Sequence, residues 1–410
     1  VRLGLSQLSR SQRISRRAQS LERFKTDCDE SLMTYSVADR EHMSRALELA
    51  AKARCTASPN PSVGCVLVVD GQVVGEGYTR PAGGHHAEIE ALNAASGTQG
   101  AINQGATAYV TLEPCSHTGK TGPCAQALID AGISRVVIAC EDPNPKVAGD
   151  GIKLLQDAGI EVACGLYEDQ AREINKGFIK RHEQGLPWVL VKTAASLDGR
   201  TAMASGQSQW ITTPASRKDV QRLRAASCAI ITGIGTQLMD DPSLTVRITN
   251  ADVGVEDSLR QPLRVVVDSH LKMSAEARMF AQPGKTLVAT MDGPEQREKA
   301  VALQTAGAEV VFLAARDGHV DLYELLLELA RRECNNVMVE AGAGLAGAFV
   351  AEGLLDELVC YWAPKLFGSA ARPMFELPIQ TIDAHLALAV KDIRQIGEDI
   401  RITLRPDKDY

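Results

Sequence analysis

The chain has 410 residues, 45% hydrophobic and 23% charged, the balance of a globular protein with a sizeable core; at roughly 100–200 residues per domain it should hold two or three domains. A formal charge of −7 argues against general nucleic-acid binding, which needs a basic footprint, while leaving room for a local basic pocket that takes one phosphate. No apolar run reaches the roughly 18 residues of a membrane span, and the ten scattered cysteines lack the short spacing of a secreted disulfide framework, so a reducing, cytoplasmic setting is expected.

Residues 1–36 differ in character. Residues 1–25 carry seven basic residues and Glu22 as the sole acid, with abundant Ser and Gln. Two readings stand: a disordered basic arm, or an Arg- and Ser-rich, acid-poor organelle transit peptide. Ordered sequence should begin near Ser36.

From there Met43, Ala46, Leu47 and Ala50 recur at three and four, predicting a helix over 39–53. Ser58-Pro59-Asn60-Pro61 is a turn. Val63 to Val69 reads as a buried strand, Asp70-Gly71 as a hairpin turn and 72–77 as the return strand. Then come a helix over 86–95, a strand over 106–112, a helix over 124–131, a strand over 135–140, a helix over 151–158, a strand over 161–165 and a helix over 171–182. Glu183-Gln184-Gly185-Leu186-Pro187 breaks the pattern and marks a boundary between a first domain, 37–185, and a second, 186–410. The second domain reads as strands starting at 188, 228, 263, 286, 309, 335, 357 and 398, interleaved with helices over 214–226, 297–306, 321–332 and 344–353. Alternating strands and helices make both halves α/β.

The sharpest cluster is His86-Ala87-Glu88, then Pro114-Cys115 and Cys124. One His and two Cys supply three zinc ligands and leave the fourth tetrahedral position open, the catalytic rather than the closed structural pattern. Zinc acidifies water to a pKa near 7. Glu88, two residues past the ligand, can take that proton and pass it to a leaving amine. His86 and Cys124 open helices, where the positive helix end favours a thiolate.

H-x-E with P-C-x-x-C is the signature of zinc nucleobase deaminases. Here the cysteines are separated by the loop Ser116-His117-Thr118-Gly119-Lys120-Thr121-Gly122-Pro123, and that loop resembles the bifunctional deaminase/reductase of riboflavin biosynthesis. Asn60-Pro61-Ser62-Val63-Gly64-Cys65 and Gly84-His85-His86-Ala87-Glu88 also resemble that family, which usually ends the cysteine loop in Pro-Pro-Cys where this chain has Gly122-Pro123-Cys124. The resemblance implies that Asn60 and His85 touch the pyrimidine and that His117, Lys120 and Thr121 line the ribose-phosphate side.

In the second half, polar clusters sit at element ends: Lys192 to Arg200, Ser208 to Thr212, Thr232 to Thr236, Asp240 to Arg247 and Val339 to Gly347. Gly342-Ala343-Gly344-Leu345-Ala346-Gly347 fits G-x-G-x-x-G, whose amides suit a pyrophosphate. No acidic residue follows at the spacing of an NAD-type fold, which favours NADP. Arg224 and Arg247 offer guanidinium forks for a phosphate, while Lys192 and Asp198 could orient sugar hydroxyls.

Together these segments resemble the reductase of the same family, which has a dihydrofolate-reductase-like fold, beside a cytidine-deaminase-like first domain. The resemblance implies NADPH contacts at Ala194, Trp210, Thr236, Asp240, Ser269 and Gly342, Ala343, Gly344, Leu345, Ala346, Gly347 and Ala348. It implies substrate contacts at Ser208, Arg224, Leu244, Arg247 and Glu340. It further implies deamination of a diaminopyrimidinone ribosyl phosphate, reduction of its ribosyl to a ribityl chain, and a homodimer or tetramer. Three rivals remain: a deaminase with a non-redox second half, a structural-zinc scaffold, and a nucleic-acid deaminase.

Overall fold

The computed structural model describes residues 35–96, 105–116, 122–145 and 147–407. In the first domain the elements are α1 (Val37–Lys52), β1 (Gly64–Val69), β2 (Gln72–Tyr78), α2 (Ala87–Ser96), β3 (Thr107–Val110), α3 (Cys124–Asp130), β4 (Arg135–Ile138), α4 (Asp150–Asp157), β5 (Glu161–Cys164), α5 (Glu168–Ile174) and α6 (Lys176–Gln184). The sheet order is β2-β1-β3-β4-β5, antiparallel at β2-β1-β3 and parallel at β3-β4-β5.

Gly64 and Gly77 point to opposite faces of this sheet and each meets a helix. A Cβ on Gly64 would lie 1.9 Å from Ala46 O of α1, and one on Gly77 would lie 2.3 Å from Ala87 O of α2. Glycine lets the helices seat directly on the strands, giving three layers around a core that includes Met43, Leu67, Leu112, Leu128 and Ile138. Ser36 and Asp39 form a capping box that starts α1.

The second domain contains β6 (Trp188–Ser196), β7 (Arg200–Ala202), α7 (Pro214–Ala225), β8 (Ala229–Gly233), α8 (Ile234–Asp240), α9 (Asn250–Val253), β9 (Leu263–Val267), β10 (Thr286–Met291), α10 (Pro294–Thr305) and β11 (Glu309–Leu313). It continues with β12 (Ala315–Arg316), β13 (His319–Val320), α11 (Leu322–Arg331), β14 (Asn336–Val339), α12 (Ala343–Ala351), β15 (Glu357–Ala363), β16 (Arg372–Pro373), β17 (Leu388–Ile396) and β18 (Asp399–Pro406). The main sheet runs β11-β10-β9-β8-β14-β6-β15-β18-β17. It is parallel from β11 to β15, with β18 and β17 antiparallel at one edge. Parallel strands put their carboxyl ends along one rim, the usual ligand edge of such a sheet. Asp198, Thr236, Ser269 and Glu340 all follow carboxyl ends on this rim.

Three expectations change. The single helix read over 171–182 is two helices, α5 and α6, because Asn175 between them turns its side chain onto Ser62. Its Oδ1 accepts from Ser62 N at 2.7 Å and its Nδ2 donates to Ser62 O at 2.9 Å. Ile234–Asp240, whose two ends fall in separate polar clusters, is helix α8, and Leu388–Ile396, to which the sequence reading assigns no element, is the edge strand β17.

Candidate active sites

Close packing of α2 on β2 places the first site. Cβ atoms at Gly75 and Gly77 would lie 2.2 and 2.3 Å from carbonyls of α2, so larger residues would push the helix off the sheet. His86 immediately precedes α2, Glu88 lies in its first turn and is buried, Cys115 follows β3 by a short loop, and Cys124 is the first residue of α3. His86 Nδ1 stands 3.7 Å from Cys115 Sγ and 3.3 Å from Cys124 Sγ, and Cys124 N–H donates to Cys115 Sγ at 3.3 Å. The three ligand atoms lie within 4.8 Å of one another. Tetrahedral ligands held ~2.0–2.3 Å from zinc stand about 3.5 Å apart, so these side chains fit that ion as they are placed.

Hydrogen bonds from Cys124 and His86 hold the Cys115 thiol well below its ordinary range, at about 4. The same bond to Cys115 raises His86. Burial pushes the Glu88 carboxyl up to about 7. A carboxyl in that range both accepts and returns a proton near neutral pH.

His86, Glu88 and Cys115 line a cavity of about 670 Å³. Asn60 lines it too. His85 does not line it; this side chain is exposed. His117, Lys120 and Thr121 lie outside the described residues. The cavity also takes in Glu113, Asp142, Phe178, Arg181 and Glu333, none of which sequence reasoning singled out. Asp142-Pro143-Asn144-Pro145, a turn cluster at the carboxyl end of β4, was the available signal for one of them.

Glu113 ties this wall to the zinc-ligand loop. Its buried carboxylate accepts four backbone N–H groups: Asp142 at 3.1 Å and Gly149 at 3.0 Å on Oε2, Gly151 at 2.9 Å and Ile152 at 3.2 Å on Oε1. A Cβ at Gly151 would lie 2.0 Å from Pro114 O, so the two segments touch backbone to backbone just before Cys115.

The second site lies on the rim of the larger sheet. Arg224 Nε and Nη2 donate to the two Glu340 carboxylate oxygens at 2.6 and 3.0 Å, and Nη1 donates to Thr245 O at 3.1 Å. The Arg224 fork is therefore held by Glu340, where the sequence suggested a phosphate. Lys192 Nζ stands 3.9 Å from Glu340 Oε2, its pKa lowered by burial. Arg247 is exposed beside them, and among the described residues its guanidinium has no ion-pair partner. Leu244 is buried with φ +48° at the turn leading to Arg247. Asp198, expected to orient sugar hydroxyls, instead accepts from Ser196 Oγ at 2.5 Å and from the backbone N–H groups of Phe367 and Gly368.

On the adjacent stretch of rim, Gly342 N–H donates to Thr236 Oγ1 at 3.1 Å, joining the start of α12 to the first turn of α8. Gly342 and Gly344 are exposed, and Gly342, at the cap position of α12, has no side chain to accept from the helix amides. Gly347 faces inward, where a Cβ would lie 2.1 Å from Glu376 O. Its glycine serves packing, as Ala346 is also buried, while Ala343, Leu345 and Ala348 are half-buried. Ala194 is half-buried on β6, and Asp240 is exposed at the end of α8. Ser269 is buried and its Oγ accepts from Val320 N at 3.1 Å. Trp210, 65% exposed with the Arg217 guanidinium 4.3 Å over its ring, stands as an open flat wall, and Ser208 is half-buried nearby in sequence. Uncapped amides at an exposed glycine turn suit a dinucleotide's phosphates.

Two family models match the chain: the cytidine and deoxycytidylate deaminase zinc-binding region over residues 36–140, and the RibD C-terminal domain over 187–402. The riboflavin biosynthesis protein RibD of Escherichia coli is 48% identical over 372 residues, covering 89% of this chain and 99% of that protein. Its counterpart from Haemophilus influenzae is 45% identical, covering 92% and 99%. Among solved structures, Acinetobacter baumannii RibD is similar with TM-score 0.81 at 42% identity, covering 90% of this chain and 99% of that one. A Thermotoga maritima protein described as a diaminohydroxyphosphoribosylaminopyrimidine deaminase/5-amino-6-(5-phosphoribosylamino)uracil reductase gives TM-score 0.78 at 31% identity. The first domain is thus cytidine-deaminase-like and the second dihydrofolate-reductase-like. With the His86-Cys115-Cys124 cluster and the rim of the larger sheet in one polypeptide, this chain belongs to the RibD family of bifunctional zinc-dependent deaminases and NADPH-dependent reductases of riboflavin biosynthesis.

Proposed function

We propose that the first site replaces the 2-amino group of 2,5-diamino-6-ribosylamino-4(3H)-pyrimidinone 5′-phosphate by oxygen from water, releasing ammonia. The second site then reduces the ribosyl side chain to ribityl. The observation that carries the first step is Glu88, buried at the floor of a cavity of about 670 Å³ beside His86 and Cys115. His86, Cys115 and Cys124 would hold the zinc, which when bound would supply acidified water. Glu88 would take up the proton that the attacking water loses and deliver it to the departing amine, while Asn60 orients the pyrimidine. Lys120, Thr121 and His117 are proposed on the ribose-phosphate side, with His85 outside the cavity wall.

For the second step, NADPH when bound would supply a hydride to C1′ as the C1′–O4′ ring bond opens and O4′ takes up a proton from solvent. Thr236 and the start of α12 at Gly342, Ala343 and Gly344 carry its phosphates, with Ala194, Trp210, Asp240 and Ser269 around it. Arg247 provides the phosphate-binding charge, and Arg224 acts through Glu340, which with Lys192 presents a charged, orienting floor to the sugar. Ser208 and Leu244 complete that wall. Asp198 shapes the neighbouring loop.

We place the division between the activities at 185/186, beside Gly185 with its φ of +74° at the end of α6. The chain is proposed to work in the cytoplasm as a homo-oligomer. No disulfide joins the described cysteines, and among the described residues no helix is long and apolar enough to cross a membrane. Strand β17 leaves Val390 and Ile393 exposed at the sheet edge, an apolar strip that suits self-association.

The test is ammonia release from the diaminopyrimidinone by the zinc-loaded chain beside Glu88→Gln with equal zinc content. Release by the wild type that falls at least a hundredfold in the variant supports the assignment. Equal release by both removes Glu88 from the chemistry.

A further inference from the structure

The walls of the deaminase cavity do not come from the first domain alone. Glu333, in the turn between α11 and β14, lines it together with Arg181 and Phe178 of α6 and the Pro59-Asn60-Pro61 turn. Two residues on, Asn335 is 3% exposed and has both ends of its amide engaged across the domain boundary. Its Oδ1 accepts from Arg181 Nε at 2.7 Å, and its Nδ2 donates to Pro59 O at 3.0 Å. The backbone of Asn335 is fixed within the second domain: its N–H donates to Cys228 Sγ at 3.2 Å and its carbonyl accepts from Trp188 N at 2.8 Å. Gly177 brings α6 hard against the same turn, since a Cβ there would lie 2.4 Å from Asn335 O and 2.2 Å from Asn336 Oδ1.

We infer that Asn335, a residue of the reductase domain, is a positioning residue of the deaminase site, setting the Asn60 turn and Arg181 at fixed separation across the cavity. This rests on the deaminase reading above. The chemistry is specific to a primary amide, because one group must accept from a guanidinium and the other must donate to a carbonyl. Aspartate keeps the first function and loses the second; alanine loses both. Neither change touches His86, Cys115, Cys124 or Glu88, so binding geometry should suffer more than the chemical step.

The test measures ammonia release and, separately, reduction of the deaminated aminouracil by NADPH, for wild type, Asn335→Ala and Asn335→Asp. Glu340 lies five residues along from Asn335, at the far end of a strand that rises about 3.3 Å per residue, so reduction serves as the folding control. The expected result is a deaminase KM raised about tenfold in Asn335→Ala and by less in Asn335→Asp. Its kcat should stay within about twofold, with zinc content and reductase kinetics unchanged. A residue that only stabilises the fold would lower the melting temperature without that KM-specific change. Unchanged deaminase KM in either variant that retains reductase activity overturns the inference. Should Asn335→Ala lose both activities through misfolding, the isosteric Asn335→Asp decides alone. A wild type that releases no ammonia refutes the deaminase reading itself, a distinguishable failure.

Discussion

Replacing Glu113 by Gln keeps the shape of a buried side chain and removes half of its accepting capacity. The carboxylate receives four backbone N–H groups, two on each oxygen. Glutamine retains one oxygen for two of them and turns an NH2 group onto the other two, leaving donors facing donors. Hydrogen bonds to a charged acceptor contribute about 1.5–3 kcal/mol each, so losing two should destabilise this region by roughly 3–6 kcal/mol. The segment released carries Asp142 in the cavity wall and packs on Pro114, next to ligand Cys115. The variant should therefore lose zinc to a competing chelator at lower chelator concentration, and the deaminase KM should rise, while reduction of the aminouracil proceeds normally. Melting curves and chelator competition on the same preparations measure both effects. An unchanged melting temperature together with unchanged zinc retention would refute the argument that Glu113 holds this wall to the metal loop.

Arg224→Met leaves the half-buried Glu340 with Lys192 at 3.9 Å and Arg247 nearby, and removing its bidentate partner should cost up to about 3 kcal/mol in denaturant unfolding of the second domain and abolish reduction. Asp39 is opposed by burial, yet hydrogen bonds from Arg135, Ser36 and Tyr109 hold its carboxyl far below the usual range. Its stabilising contribution is thus complete above the unfolded value of about 3.9 and is lost as pH falls from there towards the folded value. The melting-temperature deficit of Asp39→Asn should be largest near neutral pH and shrink below about pH 4; a constant deficit would contradict this. Gly77→Ala forces α2 off β2 and should destabilise by about 1–3 kcal/mol while weakening zinc retention, read by melting and by metal analysis. Glu88→Gln should keep its zinc and lose ammonia release by about 10²–10⁴-fold, as measured in the proposed assay.

The His86-Cys115-Cys124 cluster was legible because each residue sits at an element boundary marked locally: His86 before an Ala-rich helix, Cys115 after a β-branched strand, Cys124 after Gly122-Pro123. Most helices and strands were legible for the same reason, since their periodicity is contained in a short window. What escaped is set by distant partners. Asn175 breaks a well-patterned helix because Ser62 satisfies its amide from 113 residues away. Arg224 looked like a phosphate fork because Glu340, which occupies it, is 116 residues distant. Strand β17 lacks a buried face, so its alternation is muted and only pairing with β18 defines it. Glu113 beside Pro114-Cys115 carries no spacing signal at all; its role appears only once the 142–152 segment folds onto it.

The central claim is that one chain performs two successive reactions at two sites. NADPH oxidation by the zinc-loaded chain tests it most directly, with the diaminopyrimidinone ribosyl phosphate offered in one cuvette and its deaminated aminouracil product in another. The account predicts oxidation in both for the wild type, and in the second alone for Glu88→Gln. Oxidation of NADPH by that variant with the diaminopyrimidinone, or no oxidation by the wild type with either compound, would contradict it.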